Sequence, residues 1–245
     1  MSCILKVSGL EKKYGERRAV KGISFMIEEG DILGFLGPNG AGKSTSINII
    51  STVIDCDGGS IFFLEKDINK NKNSFKANLG VVPQEIAVFS DLTAYDNVKF
   101  FCSLYGIKGR KLKENVEEAL EFVGLLKRKN DFPSKFSGGM KRRLNIACAI
   151  AHKPKLLIMD EPTVGIDPQS RNNILETVKK LNKMGTTIIY TSHYMEEVES
   201  VCNKIIIMNE GEIIEDGTKE AVKEKYKKDS LEEIFLNLTG KALRD

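Results

Sequence analysis

Short apolar runs broken by turns open the chain. Within residues 1–36, "ILKVSGL", "AVKGISFMI" and "DILGFLG" read as strands, the last apolar enough to be buried on both faces. "SINIISTVI" then takes up a helical period that begins on serine and threonine and stops near "DCDGGS", while "SIFFLEKDI" and "LGVVPQ" return to strand character. From Glu85 to Pro133 the periods lengthen, in "DLTAYDNVKFFCSLYGI" and "KENVEEALEFVGLL", which predicts an inserted helical subdomain. "KLLIMDEP", "TTIIYTSH" and "NKIIIMNEGEIIEDG" are strands again, with the helix "PQSRNNILETVKKLNKMG" between the first two. Strands alternating with helices of that length predict an α/β fold around a parallel sheet. The tail from Thr218 reads as helical, with Leu231, Ile234, Phe235 and Leu238 on one face.

Composition narrows the picture without changing it. At 245 residues and 41% hydrophobic, the chain buries a sizeable core without staples. Its 37 basic and 34 acidic residues are interspersed, leaving a formal charge of +3 and no basic tract for nucleic acid. Cys3, Cys56, Cys102, Cys148 and Cys202 are scattered and odd in number, which points to a reducing compartment. No run approaches the length of a membrane span, so the chain is not expected to cross a membrane itself. With only His152 and His193 and no paired cysteines, a structural zinc site is not expected. His152, at a helix end before "KPK", reads as a capping cation or a solvated residue.

The chemistry concentrates in two stretches. "GPNGAGKST", residues Gly37, Pro38, Asn39, Gly40, Ala41, Gly42, Lys43, Ser44 and Thr45, follows a buried strand and opens a helix. That is the setting in which glycines turn successive N–H groups toward phosphate oxygens, a lysine reaches the β and γ phosphates, and a serine hydroxyl meets Mg²⁺. "LLIMDEP" is a strand ending in two carboxylates, and ligands of open parallel sheets lie beyond the carboxyl ends of strands. Asp160 is therefore expected at the metal and Glu161 as the base that polarises water. A third stretch, "FSGGMKRR", places Lys141, Arg142 and Arg143 in the first turns of a helix. Each cation there opposes the helix dipole by roughly 0.3–1 kcal/mol unless an anion stands nearby.

"GPNGAGKST", "VVPQE", "FSGGMKRR", "LLIMDEPTVGIDP" and "YTSH", in this order over essentially the whole chain, resemble the nucleotide-binding subunit of an ATP-binding cassette (ABC) transporter. The resemblance implies a P-loop NTPase core of RecA-like type with a parallel sheet, an N-terminal antiparallel β subdomain and an inserted helical subdomain. It implies one domain over 1–245, with core and β subdomain in 1–84 and 154–218, the helical subdomain in about 85–153 and a helical tail in 219–245. Its cofactors are ATP and Mg²⁺, the latter held by Ser44, Gln84 and Asp160. Gln84 resembles the glutamine that senses γ-phosphate and metal, His193 the histidine on the γ-phosphate, and Tyr14 the aromatic that stacks on adenine. Asp167 resembles the aspartate that communicates across a dimer.

In that family two subunits dock head to tail, each signature closing over the partner's ATP. The resemblance then makes Ser137, Gly138 and Gly139 phosphate-binding and supplies the missing anion as the γ-phosphate on the other chain. Phe136 and Met140 depart from the usual leucine and glutamine but leave the serine and glycines in place. "SGGMKRR", "LTAYDNVKFFCSLYG" and the tail resemble daunorubicin-resistance-like exporters. The implied partners are a separate transmembrane permease and a second nucleotide-binding subunit, identical or related, on the inner face of the cell membrane. The implied cargo is drug-like, peptide or lipid-like. Two alternatives compete: a soluble cassette ATPase of iron–sulfur cluster assembly, and a small-molecule kinase, which would leave the signature, "GIDP" and His193 unexplained.

Overall fold

The computed structural model describes residues 2–240. In chain order they form β1 (Cys3–Tyr14), β2 (Arg17–Glu28), β3 (Ile32–Leu36), α1 (Lys43–Ile50), β4 (Gly58–Phe63), β5 (Lys66–Asp67), α2 (Lys72–Lys76), β6 (Leu79–Val82) and α3 (Ala94–Ser103). There follow α4 (Gly109–Phe122), α5 (Gly138–Ile150), β7 (Leu156–Asp160), α6 (Pro168–Lys183), β8 (Thr187–Thr191), α7 (Met195–Val201), β9 (Lys204–Asn209), β10 (Glu212–Thr218), α8 (Lys219–Tyr226) and α9 (Leu231–Thr239). Two units emerge from the contacts: the chain up to Lys76 together with Thr187 onward, and Ala77–Thr186.

In the first unit β1 pairs antiparallel with β2 on one edge and β4 on the other, giving the order β2-β1-β4-β5. This is the antiparallel sheet that the resemblance implies. β3 is buried at every position because it lies between two parallel neighbours, β8 and β9, and β10 returns antiparallel on β9. Gly34 in β3 is a packing requirement: a Cβ there would stand 2.8 Å from Val198 Cγ1 and 3.2 Å from Cys202 Sγ. The strand is thus small where α7 crosses it. At the tail, α9 buries Leu231, Ile234 and Phe235 and half-buries Leu238. Its first N–H donates to Glu199 Oε1 at 2.9 Å, and the same carboxylate pairs with Lys223 at 2.9 Å. The end of the predicted tail, 241–245, lies outside the described residues.

In the second unit β6 and β7 run parallel, in register from Leu79↔Leu156 to Val82↔Met159. Thr93 caps α3, accepting from Asp96 N at 3.1 Å while its hydroxyl donates to Asp96 Oδ2 at 2.7 Å. The buried Asn97 amide ties down the preceding loop through Phe89 N, Phe89 O and Leu92 O. Three rings gather there, with centroids 5.2 Å apart for Phe89–Phe100, 5.9 Å for Phe89–Phe101 and 5.4 Å for Phe100–Phe101. Phe89 and Phe100 are exposed.

His152 corrects the sequence reading. It is neither a capping cation nor solvated: the ring is buried and stacks on Tyr105, with centroids 3.5 Å apart and planes 3° from parallel. Nε2 lies 3.0 Å from the Leu79 carbonyl, which accepts its proton. The helix end is therefore covered by β6 and the chain after α3, a tertiary fact that its sequence position does not carry. Burial pushes the His152 pKa down from 6.5 to about 4, outweighing the hydrogen bond to Leu79.

A depressed folded-state pKa stabilises the fold above the unfolded value, and that stability is lost as pH falls toward the folded one. From pH 8 to pH 5 the His152 contribution is expected to fall by about 2 kcal/mol. Urea titrations of wild type and His152→Gln at both pH values check this. The variant should lack that part of the acid sensitivity, and equal losses in both proteins would refute it.

Candidate active site

The phosphate loop is a backbone structure. Gly42 sits just before α1 at φ 102°, and a Cβ on it would come within 2.5 Å of the Ala19 carbonyl. At Gly37 a Cβ would meet the Met208 carbonyl at 2.5 Å. Both positions demand glycine because other main chain passes against them. Gly42 offers no side-chain cap to α1, and a helix N-terminus is where backbone N–H groups and the dipole favour an anion. Lys43 is buried, and its ammonium donates to Gly37 O at 2.5 Å and Pro38 O at 3.2 Å. The ammonium therefore lies along the loop that it is expected to serve, and Ser44 is exposed beside it.

His193 follows β8 on a turn fixed from beneath. The fully buried Glu197 accepts from Tyr190 Oη at 2.8 Å and from Ser192 Oγ at 2.7 Å, while Ser192 Oγ accepts from Tyr194 N at 3.0 Å. Residues on both sides of His193 are thereby held. The sequence reading missed Glu197; its signal was a carboxylate beside Val201 in helical projection, at the edge of the apolar face of α7. Tyr14 ends β1, is 51% exposed and has the Lys12 ammonium 5.9 Å from its ring centroid.

In the second unit, β7 delivers Asp160 half-buried and Glu161 buried. Glu161 takes φ 47°, a left-handed backbone that only a small fraction of non-glycine residues adopt. Its Oε2 accepts from Gln84 Nε2 at 2.9 Å. The two residues that the sequence placed far apart thus meet, and the amide fixes the carboxylate while leaving Gln84 Oε1 as a further acceptor.

The signature helix α5 is capped by Ser137, whose Oγ accepts from Met140 N at 3.3 Å. The hydroxyl proton is still available to donate. Asp167 caps α6, accepting from Ser170 N at 2.9 Å, and that bond holds its carboxyl below the usual range and ionised. Gly139 lies against the same turn: a Cβ there would stand 2.2 Å from Ser170 Oγ and 2.5 Å from Ser170 Cβ.

Two of the three cations after the signature bind carbonyls of their own unit. Arg142 is buried and donates to the Pro83 and Gln84 carbonyls, and Arg143 donates to Val123 O at 2.8 Å. Phe136 is buried with the Arg128 guanidinium 5.6 Å above its ring. The resemblance puts Lys141, Arg142 and Arg143 near negative charge, or with side chains reaching solvent or a partner's carboxylates; Arg142 and Arg143 instead make main-chain contacts within the unit.

Residues 20–164 match the ABC transporter family. The chain belongs to that family. Among curated relatives, the linearmycin resistance ATP-binding protein LnrL of Bacillus subtilis is 53% identical over 88% of this chain and 70% of its own. The daunorubicin resistance ATP-binding protein DrrA2 of Streptomyces coeruleorubidus is 35% identical over 94% of this chain and 71% of its own. Among solved structures, an ATP-binding subunit of an ABC transporter has a TM-score of 0.86 at 25% identity, covering 96% of this chain and 99% of that one. A dimeric ATP-binding cassette in a post-hydrolysis state with ADP and Pi has a TM-score of 0.78 at 27% identity, covering 88% and 98%. The protein is an ATP-binding, ATP-hydrolysing ABC subunit with the P-loop NTPase fold. The resemblance read from its five motifs holds.

In the second unit Asp160 and the Gln84 amide carbonyl offer hard oxygen atoms, and in the first unit the Ser44 hydroxyl offers another. Oxygen donors of this kind are the chemistry magnesium takes, and an ion that keeps several waters needs no dedicated protein cage. Among the described residues no cluster of three His, Cys, Asp or Glu side chains could hold a different metal.

The contact at Gly139 yields a test of the signature's packing. Gly139→Ala is expected to destabilise the fold by about 1–3 kcal/mol through overpacking, and Ser170→Gly in the same chain should return most of that loss. Urea unfolding of the two single variants and the double variant measures it; additive losses would show that Ser170 is not the obstacle.

Proposed function

We propose that this ATPase powers export of a drug-like, peptide or lipid-like substrate through a separate membrane-spanning subunit, from the inner face of the cell membrane. The names of its relatives support the direction, since they confer linearmycin or daunorubicin resistance or are named for Nod factor export. No helix among the described residues is long and apolar enough to cross a membrane; in this reading the motion is handed to the separate membrane-spanning subunit. The exposed rings of Phe89 and Phe100, just beyond Gln84, support a permease contact in the surface of residues 85–110.

The single observation that carries the hydrolytic reading is the buried Glu161 carboxylate held by Gln84 on a left-handed backbone. In this reading Glu161 accepts a proton from the attacking water as its oxygen bonds to the γ-phosphorus and the bond to the β–γ bridging oxygen breaks. Lys43 and the N–H groups of residues 39–45 bind the phosphates, His193 donates to the γ-phosphate, and Tyr14 stacks on adenine. Ser44, Gln84 and Asp160 would hold magnesium, which would supply charge neutralisation at the phosphate oxygens. Ser137, Gly138, Gly139 and Asp167 meet the nucleotide of a second subunit, identical or related. Ser137 is suited to that task because its oxygen is engaged in the cap while its proton is not.

Glu161→Gln is expected to retain ATP binding and lose turnover by roughly 10²- to 10⁴-fold. With Mg-ATP the same variant should elute as a dimer that wild type does not sustain. Wild-type turnover in Glu161→Gln would sink the assignment. For export, affinity capture of the tagged chain from detergent-solubilised native membranes should recover a polytopic membrane protein. Recovery of soluble partners alone, with the chain absent from membranes, would favour the cluster-assembly class.

A further inference from the structure

Arg142 is 3% exposed and lies one turn into α5. Its Nη1 donates to Pro83 O at 2.8 Å and its Nη2 to Gln84 O, so one planar fork spans two consecutive carbonyls. Burial alone pulls its pKa below the ordinary arginine value, with no acidic neighbour offsetting the cost. A desolvated guanidinium with only carbonyl partners is an expensive way to fill space. What it supplies is geometry, because a guanidinium presents fixed paired donors that an ammonium does not.

Gln84 is held at both ends. Its carbonyl is gripped from α5, and its side chain donates to Glu161 Oε2 at 2.9 Å. The grip itself is firm, since Arg143 fastens the same turn of α5 to Val123 O at 2.8 Å and Gly139 sits against Ser170. A continuous run of contacts therefore leads from the helix start that carries Ser137, Gly138 and Gly139 to the carboxylate of Glu161.

We propose that Arg142 is a positioning residue for hydrolysis: it transmits the placement of the α5 N-terminus, through the main chain of Gln84, to the Glu161 carboxylate. An anion engaging Ser137 then sets the orientation of Glu161 in the same chain. This rests on the reading of Glu161 as the base that polarises water.

The test is a double-mutant cycle on the full chain, reading steady-state ATP turnover, nucleotide affinity and melting temperature. Arg142→Lys keeps the charge and the stem but loses the fork, and it should lower kcat about tenfold or more with nucleotide Kd within about twofold, since small misplacements of reacting groups cost rate rather than binding. Arg142→Gln, a second and neutral variant, should lose at least as much. Gln84→Ala should show the same split. Because Arg142 acts through Gln84, adding Arg142→Lys to Gln84→Ala should cost at most about twofold more. Multiplicative losses, an unchanged kcat in Arg142→Lys, or losses that merely follow a lowered melting temperature would overturn the proposal. Glu161→Gln separates the two readings: if it turns over normally, the base assignment itself fails, whereas an inactive Glu161→Gln with multiplicative Arg142 and Gln84 effects overturns only the role given to Arg142.

Discussion

The backbone of Glu161 is the constraint around which the second unit is organised. A buried apolar strand stops at Asp160, and the chain turns at the next position with a non-glycine residue at φ 47°. Left-handed backbone costs such a residue on the order of 1–3 kcal/mol. Glycine would remove the strain and with it the carboxylate. The conformation persists because its surroundings over-determine it: Met159 before it is fully buried, Pro162 and Thr163 after it are buried, and Gln84 binds its side chain. In the proposed reading the strain and the chemistry occupy one residue.

The first unit meets a comparable demand by the opposite device. There the phosphate loop is shaped by glycines whose missing Cβ atoms make room for the carbonyls of Ala19 and Met208, on β2 and β9. The lysine that follows is buried against its own loop. One turn is fixed by removing side chains, and the other by binding one. Glycine suits a loop whose proposed ligands are N–H groups; glutamate suits a strand end where the proposed role belongs to the side chain.

Most of this fold was legible because its signals are local. β3, β7 and β8 are continuous apolar runs, the phosphate loop is a contiguous motif, and Thr93, Ser137 and Asp167 stand where helix caps belong. The parts that escaped are residues whose partners are remote in sequence. His152 meets Leu79 and Tyr105, Arg142 meets Pro83 and Gln84, and Gly139 meets Ser170. Glu197 escaped differently, since its partners are close by but its burial depends on how α7 lies on β3 and β8. A charged or ionisable residue read alone is ordinarily solvent-facing, and nothing in its own neighbourhood says otherwise.

The misread cations show what that rule hides. Three positive charges at a helix start look like an unmet demand for an anion when only the dipole is considered. Two of the three are turned away from the dipole's field to bind carbonyls elsewhere in the unit, so their electrostatic penalty at the helix start is offset by charge-assisted hydrogen bonds. This leaves the α5 N-terminus with its own positive end, a serine whose proton is uncommitted and two glycines. An anion binding there would be drawn by helix and hydroxyl, while Arg142 and Arg143 hold the helix in place. Under the proposed reading, separating attraction from support in this way would let the signature release an anion without losing its shape, which a site relying on the cations themselves could not do.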